Sequence, residues 1–222
     1  TQDPLLKREM LYQLSYQVFF KSANIISIIY FLASIVINLN PTEIPSHRMK
    51  SLILMGYMGC GKSALGKQLA QASKRSFVDL DQYIEQHENT SISKLFESKG
   101  ELYFRKKERF YLEKLLSSHD SAIIALGGGT PCYFDNIDFL NQIKSGVTCY
   151  LKTTPKILAK RLYKEKDHRP MIAHLNSQQD LEEFIAKHLF ERIPYYTKAQ
   201  HHLSTDEASV EELSQKVQNF LT

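Results

Sequence analysis

The segment from Gly56 to Ser63 combines glycine, lysine and serine at a spacing suited to binding phosphate groups. It has the pattern G-x-x-x-x-G-K-S, follows the apolar run 52–55 and precedes a helical pattern over 64–73. Glycines let backbone N–H groups approach phosphate oxygens, the lysine supplies positive charge, and the serine hydroxyl is a Mg²⁺ ligand. A chance glycine-rich turn would not need a strand before it and a helix after it. The segment therefore predicts a nucleotide-binding protein, with ATP as the nucleotide.

The loop and the first helical residue after it are expected to contact ATP, since a helix that begins here adds its positive N-terminal dipole. The expected ATP-binding positions are Gly56, Gly59, Cys60, Gly61, Lys62, Ser63 and Ala64.

Two carboxylates, Asp79 and Asp81, end the next apolar run, 77–80. Alternation along a strand would place both on the same side. One acid near the loop can hold Mg²⁺ together with Ser63, and the other can meet a hydroxyl that receives a phosphate. Asp81 has a second interpretation, as the cap of a helix that begins near Gln82. The neighbouring phosphate-binding loop favours chemistry.

An arginine three residues before a glutamate, Arg105 and Glu108, would share one helical face. A guanidinium held by a carboxylate presents a fork that suits a second carboxylate on a ligand. A solvated surface ion pair is the commoner outcome for such a pair alone. Arg192 is a second candidate for binding the same anion.

Three consecutive glycines, Gly127, Gly128 and Gly129, follow the apolar run 121–126. They would let the backbone approach a small ligand with no side chain in between. The alternative is a tight turn without a ligand.

Short apolar runs alternate with helical patterns along the chain and would position these residues. The runs cover 52–55, 77–80, 121–126, 147–151 and about 201–203. This order predicts an α/β fold, a three-layer sandwich with a central parallel sheet of about five strands between helices. Ligands bind such sheets at the carboxyl ends of the strands, where the candidate residues lie.

Length and composition limit the remaining possibilities. A chain of 222 residues supports one good core, and a net charge of +4 is too mild and scattered to indicate nucleic acid. The three cysteines, Cys60, Cys132 and Cys149, have no C-x-x-C spacing. They indicate reduced thiols in a cytoplasmic protein.

Residues 1–48 differ from the remainder, because no charged residue occurs between Lys21 and Glu43. The apolar run 25–39 is borderline in length for a bilayer span, which needs about 20 residues. It is a membrane anchor, a helix packed on the body or on another copy, or sequence upstream of a natural start at Met49. We favour the third interpretation, with residues 49–222 as the domain and membrane contact only if the extension is an anchor.

These motifs together resemble the shikimate kinases, in the order found in that family. The resemblance covers residue 50 to the C-terminus and leaves residues 1–48 unexplained. It is carried by the phosphate-binding loop, Asp79-x-Asp81, Gly100-Glu101-x-x-Phe104-Arg105-x-x-Glu108, Gly127–Gly129, Arg169-Pro170 and Arg192-x-Pro194-x-Tyr196.

The resemblance implies phosphoryl transfer from MgATP to the 3-hydroxyl of shikimate. It implies that Asp81 contacts the substrate hydroxyls as the candidate base, and that Arg105 and Arg192 bind the shikimate carboxylate. Gly127, Gly128 and Gly129 would line the same pocket.

On the nucleotide side, the resemblance implies that Asp79 lies near Mg²⁺ and that Arg169 comes from a mobile lid over the ATP phosphates. Lys62, Asp81 and Arg169 would be the catalytic residues, and Arg161 would also reach the nucleotide. A small helical region would bind the substrate, and a monomer is expected.

Two alternatives stay open. One is another small-molecule kinase of the same fold, such as a gluconate kinase, since gluconate is also a hydroxy acid. The other is a nucleotide-binding regulator that has kept the fold and lost catalysis.

Overall fold

The computed structural model describes residues 50–118, 121–166, 169 and 171–221. The N-terminal extension predicted over residues 1–48 lies outside the described residues.

Five short strands form one sheet in which every neighbouring pair is parallel, in the order β2-β3-β1-β4-β5. This confirms the predicted α/β fold with a five-stranded parallel sheet. The strands are β1 (Ser51–Met55), β2 (Phe77–Asp79), β3 (Ile123–Ala125), β4 (Gly146–Lys152) and β5 (His201–Ser204).

The central strand β1 is buried along its whole length, and Leu52, Ile53 and Leu54 are each 0% exposed. A strand covered by helices on both faces has no polar side, so its sequence is continuously apolar instead of alternating. Strand β1 pairs with β3 on one side and with β4 on the other. Its carboxyl end, where the phosphate-binding loop begins, is therefore at the middle of the sheet edge.

Helices surround the sheet and connect its strands. They are α1 (Lys62–Ser73), α2 (Leu80–Glu88), α3 (Ile92–Ser118), α4 (Asn136–Gln142), α5 (Pro155–Tyr163), α6 (Gln178–Tyr196) and α7 (Val210–Leu221), with a 3-10 turn over Thr130–Cys132. Among the residues that the structure describes, none of these helices is both long and apolar enough to cross a membrane.

Helix α3 is interrupted at Gly100, whose φ of 78° and ψ of 168° are not helical. A residue with a Cβ rarely adopts this conformation, so glycine is suited to the position. The break redirects the second half of α3, which carries the buried residues Arg105 and Glu108.

The start of α2 differs from the sequence-based expectation. Strand β2 ends at Asp79 and the helix begins at Leu80, not near Gln82. The Asp79 carboxylate is the N-cap and accepts hydrogen bonds from the backbone N–H groups of Asp81 and Gln82. Strand alternation therefore does not apply to Asp81, and its carboxylate is not needed as the cap.

Candidate active site

A cavity of about 420 Å³ lies over the phosphate-binding loop at the carboxyl ends of the strands. It brings together glycine, hydroxyl, carboxylate and guanidinium groups from distant parts of the chain. Its lining comprises Met58, Gly59, Gly61, Lys62, Ser63, Ala64, Asp79, Asp81, Leu126, Gly128, Arg161, Leu162, Glu165 and Arg169. Gly56 and Cys60, two of the predicted ATP-binding residues, are buried and do not belong to this lining.

Lys62 is folded back onto its own loop. Its ammonium donates to the backbone oxygens of Gly56 at 2.8 Å and Tyr57 at 3.1 Å, and lies 3.8 Å from the sulfur of Cys60. The charge is therefore held at the mouth of the loop, where an incoming phosphate can replace or share these acceptors.

Ser63 and Asp79 form the only candidate pair of metal ligands that the sequence predicted, and they are adjacent. The Ser63 hydroxyl donates to Oδ2 of Asp79 at 3.1 Å. A hydroxyl and a carboxylate are the hard oxygen donors that suit Mg²⁺, which is commonly held by one or two protein ligands with water and phosphate oxygens. The residues present thus fit a magnesium ion.

Asp81 lies deeper, between the loop and the second half of α3. Burial raises the pKa of Asp81 to about 6, with further contributions from the Glu108 and Asp79 carboxylates, against the charges of Lys62 and Arg105. A carboxylate with this pKa is ionised at neutral pH and is well matched to accept a proton.

Arg105 is held from three directions. Its Nη1 donates to Glu108 at 3.0 Å, its Nε and Nη2 donate to Glu101 at 3.4 and 3.3 Å, and its guanidinium lies 3.9 Å from the Tyr133 ring centre. Burial acts to lower the pKa of Arg105, but the charge of Glu108 and its hydrogen bond outweigh this and raise it. Both terminal nitrogens keep one further N–H with which to bind an anion.

The predicted contact between Arg105 and Glu108 is therefore present, and it is not a surface pair. Glu108 is 1% exposed and Arg105 is 9% exposed. Burial raises the pKa of Glu108, although its partners Arg105 and Thr130 oppose that shift. Such a pair persists only where further hydrogen bonds complete it, and Thr130 provides one at 2.6 Å.

The three glycines allow the surrounding side chains to converge. A Cβ added at Gly127 would lie 2.7 Å from Oδ1 of Asp81, and one at Gly129 would lie 2.9 Å from Nη2 of Arg105. Both distances are shorter than a carbon atom tolerates, so close approach explains these glycines better than a turn does. A Cβ at Gly128 would lie 3.6 Å from Nη1 of Arg192. Asp81 and both arginines thus border one short backbone segment.

The two arginines predicted on the nucleotide side are differently placed. Arg161 donates to the backbone oxygens of Gly59 at 3.3 Å and Thr205 at 2.7 Å, so it ties the phosphate-binding loop to the end of β5. Arg169 forms an ion pair with Glu165 at 2.9 Å. Both arginines line the cavity.

Sequence reasoning missed several residues that complete the site. Thr130 and Tyr133 hold Glu108 and Arg105, and the Tyr196 hydroxyl donates to the backbone oxygen of Gly128. Thr130 directly follows the glycine run and Tyr133 lies four residues after its end, and this closeness was the available signal. Tyr196 belongs to the Arg192-x-Pro194-x-Tyr196 motif, but nothing in the spacing of that motif indicated a hydrogen bond to a residue 68 positions away.

Known proteins are similar to this chain in sequence and in fold. A sequence model of the shikimate kinase family matches residues 58–222. A shikimate kinase of Flavobacterium johnsoniae is 44% identical over 173 residues, which cover 78% of this chain and 99% of the relative.

Two solved structures agree with the sequence comparison. A shikimate kinase from Bacteroides thetaiotaomicron is 35% identical with a TM-score of 0.71, and the match covers 78% of this chain and 98% of the other. A shikimate kinase from Acinetobacter baumannii, solved in complex with shikimate, is 32% identical with a TM-score of 0.66 and covers 78% and 93% of the two chains. Most of this chain and nearly all of each relative are therefore superposable, and the chain belongs to the shikimate kinase family.

Proposed function

We propose that this protein transfers the γ-phosphoryl group of ATP to the 3-hydroxyl of shikimate, giving shikimate 3-phosphate and ADP. This reaction is a step towards chorismate and the aromatic amino acids. The observation that carries the proposal is the convergence of Asp81, Arg105 and Arg192 on the glycine segment beside the phosphate-binding loop.

The acceptor side suits a small hydroxylated carboxylic acid. Arg105 on α3 and Arg192 on α6 would bind the carboxylate, since guanidinium groups match carboxylate geometry. Gly127, Gly128 and Gly129 let the ring of the acceptor lie against the backbone. Membership of the shikimate kinase family supports shikimate over gluconate as this acceptor.

In the proposed reaction, the hydroxyl oxygen of shikimate bonds to the γ-phosphorus while the bond from that phosphorus to the β–γ bridging oxygen breaks. The hydroxyl proton moves towards the Asp81 carboxylate, and ADP leaves. Lys62 and Arg169 offset the negative charge on the transferred group, and catalysis is mainly positioning and charge stabilisation.

Ser63 and Asp79 would hold a magnesium ion beside the phosphates. When bound, Mg²⁺ neutralises phosphate charge. The N-cap bonds from the backbone of α2 fix the Asp79 carboxylate in place for this role.

Residues 49–222 would form the kinase unit, with residues 1–48 as an extension outside it. The kinase would act in the cytoplasm, where ATP is available, and as a monomer, since all the groups named above come from one chain. Arg169 would move with a lid that excludes water during transfer.

The test is ADP formation by the full chain with MgATP, with and without shikimate, using gluconate and nucleoside monophosphates as control acceptors. A response to shikimate alone is expected. A response to gluconate instead would identify a different small-molecule kinase, and binding of ATP without any acceptor-dependent ADP would favour a regulator. A chain beginning at Met49 is measured in parallel, and equal activity is expected.

A further inference from the structure

Tyr57 belongs to the phosphate-binding loop, yet its side chain contacts helix α6 and does not line the nucleotide cavity. The side chain is buried, with 1% of its surface exposed. Its hydroxyl lies 3.1 Å from Nδ1 of His188, a residue 131 positions further along the chain. A position that the G-x-x-x-x-G-K-S pattern does not specify thus makes a polar contact with the helix that carries Arg192.

His188 and Arg192 are four residues apart on α6 and therefore share one helical face. The Arg192 guanidinium lies 5.4 Å from the centre of the Tyr57 ring, within cation–π range. Tyr57 therefore contacts this face twice, through its hydroxyl at His188 and through its ring at Arg192.

The backbone of Tyr57 faces the other way. Its carbonyl oxygen accepts a hydrogen bond from the Lys62 ammonium at 3.1 Å. One residue therefore contacts both the lysine proposed to bind phosphate and the arginine proposed to bind the acceptor carboxylate.

The protonation states favour a hydrogen bond with a defined direction. Burial raises the pKa of Tyr57 to about 12, so its hydroxyl keeps its proton. Burial and the nearby Arg192 charge lower the pKa of His188, with Glu191 opposing them, so the imidazole is neutral at pH 7. A neutral imidazole with its proton on Nε2 accepts a hydrogen bond at Nδ1. The His188 ring also packs against Phe184, with ring centres 4.3 Å apart.

We propose that Tyr57 and His188 are a positioning pair that sets the place of Arg192 relative to the phosphate-binding loop. The pair would hold the acceptor hydroxyl in line with the transferred phosphate by fixing where the acceptor carboxylate is bound. This inference rests on the function proposed above. Neither residue touches the reacting atoms, and both act through Arg192.

The test compares kinetic constants of the full chain with those of Tyr57→Phe, which keeps the ring and removes the hydroxyl, and of His188→Leu. Each should raise the KM for shikimate about 3- to 10-fold, the effect of one lost hydrogen bond, and leave the KM for MgATP within about twofold. The double variant should be no worse than either single variant, because both remove the same contact. His188→Gln, whose amide oxygen can accept from Tyr57, should recover part of the loss.

Tyr111→Phe is the matched control, since it also deletes one hydroxyl that donates from a buried tyrosine, to Glu88 at 2.8 Å. It should change the melting temperature without changing either KM. The proposal is overturned if Tyr57→Phe behaves like this control, or if it raises both KM values equally.

A separate measurement distinguishes failure of the pair from failure of the proposed function. Nitrogen-15 NMR of the His188 ring should show an unprotonated Nδ1 whose resonance shifts in Tyr57→Phe. A protonated Nδ1, or no shift, overturns the pair. A wild-type chain that forms no ADP with shikimate contradicts the proposed function, and the NMR result then decides the pair by itself.

Discussion

The acceptor side and the nucleotide side of the cavity hold their arginines in opposite ways. The side chain of Arg105 is 11% exposed and is bound by two carboxylates, with the Tyr133 ring centre 3.9 Å away. The side chain of Arg169 is 36% exposed and pairs with Glu165, which is itself 62% exposed. An exposed ion pair contributes about 0–1 kcal/mol, so Arg169 can exchange Glu165 for phosphate at little cost. Arg105, which is buried and held by Glu101 and Glu108, cannot be redirected so easily.

This contrast indicates that the arginines on the two sides of the cavity have different roles. On the proposed acceptor side, Arg105 is held by protein groups alone, which suits recognition of one small molecule. On the nucleotide side, Arg169 would exchange Glu165 for phosphate, which suits a residue proposed to stabilise charge during transfer. The following predictions test that difference.

The largest effect is expected at the centre of the acceptor side, from Asp81→Asn. Loss of a general base lowers kcat by about 100- to 10,000-fold. Because folding raises the pKa of Asp81 from 3.8 to about 6, the ionised form destabilises the fold above pH 6. The variant should therefore be more stable at pH 8, by about 1–3 kcal/mol. Steady-state kinetics and thermal melts measure both, and a kcat within about tenfold of wild type would contradict the assignment.

Lys62→Ala removes the charge that lies between the two sides. Loss of one group that stabilises transition-state charge lowers kcat by about 100- to 1,000-fold. In the described structure the lysine bonds to two carbonyl groups and the Cys60 sulfur of its own loop, so circular dichroism should show a retained fold. Normal turnover would refute the role proposed for the loop.

Arg105→Lys keeps the charge on the acceptor side but loses the planar fork. It should raise the KM for shikimate about 10- to 100-fold, with little change for MgATP, since Lys cannot bind two carboxylates and a ligand in the same plane. Arg109→Lys is the control. Arg109 is on the same helix and also pairs with two acids, Glu113 and Asp135. An equal rise in the KM for shikimate and for MgATP in Arg105→Lys would contradict the proposal that Arg105 binds the shikimate carboxylate.

Activity should fall as pH decreases through 6. The Asp81 carboxylate must be ionised to accept a proton. Its pKa is raised to about 6, and burial is the largest cause. The kcat/KM for shikimate should therefore drop about tenfold per pH unit below pH 6 and level off above it. A profile from pH 5 to 8 at constant ionic strength measures this, and a flat profile would mean that Asp81 only orients the hydroxyl.

The smallest effect is expected on the nucleotide side, from Arg169→Lys. Lysine keeps the positive charge and can keep the exposed ion pair with Glu165, so the melting temperature should be unchanged, while loss of the guanidinium fork should raise the KM for MgATP about 3- to 10-fold. Glu165→Gln, which removes the competing carboxylate, should lower that KM slightly. A clear fall in the melting temperature of Arg169→Lys would contradict the contrast between the two sides.

Local patterns in the sequence predicted the helices and strands and many of the candidate site residues. The phosphate-binding loop, the apolar runs that became five parallel strands, and the helical spacing of Arg105 and Glu108 all depend on residues close together in the chain. Backbone geometry relates such neighbours directly, so their arrangement follows from periodicity and residue type.

Only the tertiary structure decided which groups share an environment. In the structure Asp79 is the helix cap, so the Asp81 carboxylate is available to the candidate site. The Arg105–Glu108 pair is buried, and Thr130 donates a hydrogen bond to Glu108. The structure also places His188 against Tyr57. The physical reason is that burial, pKa and contacts between distant residues are set by how helices pack on the sheet, which no local spacing encodes.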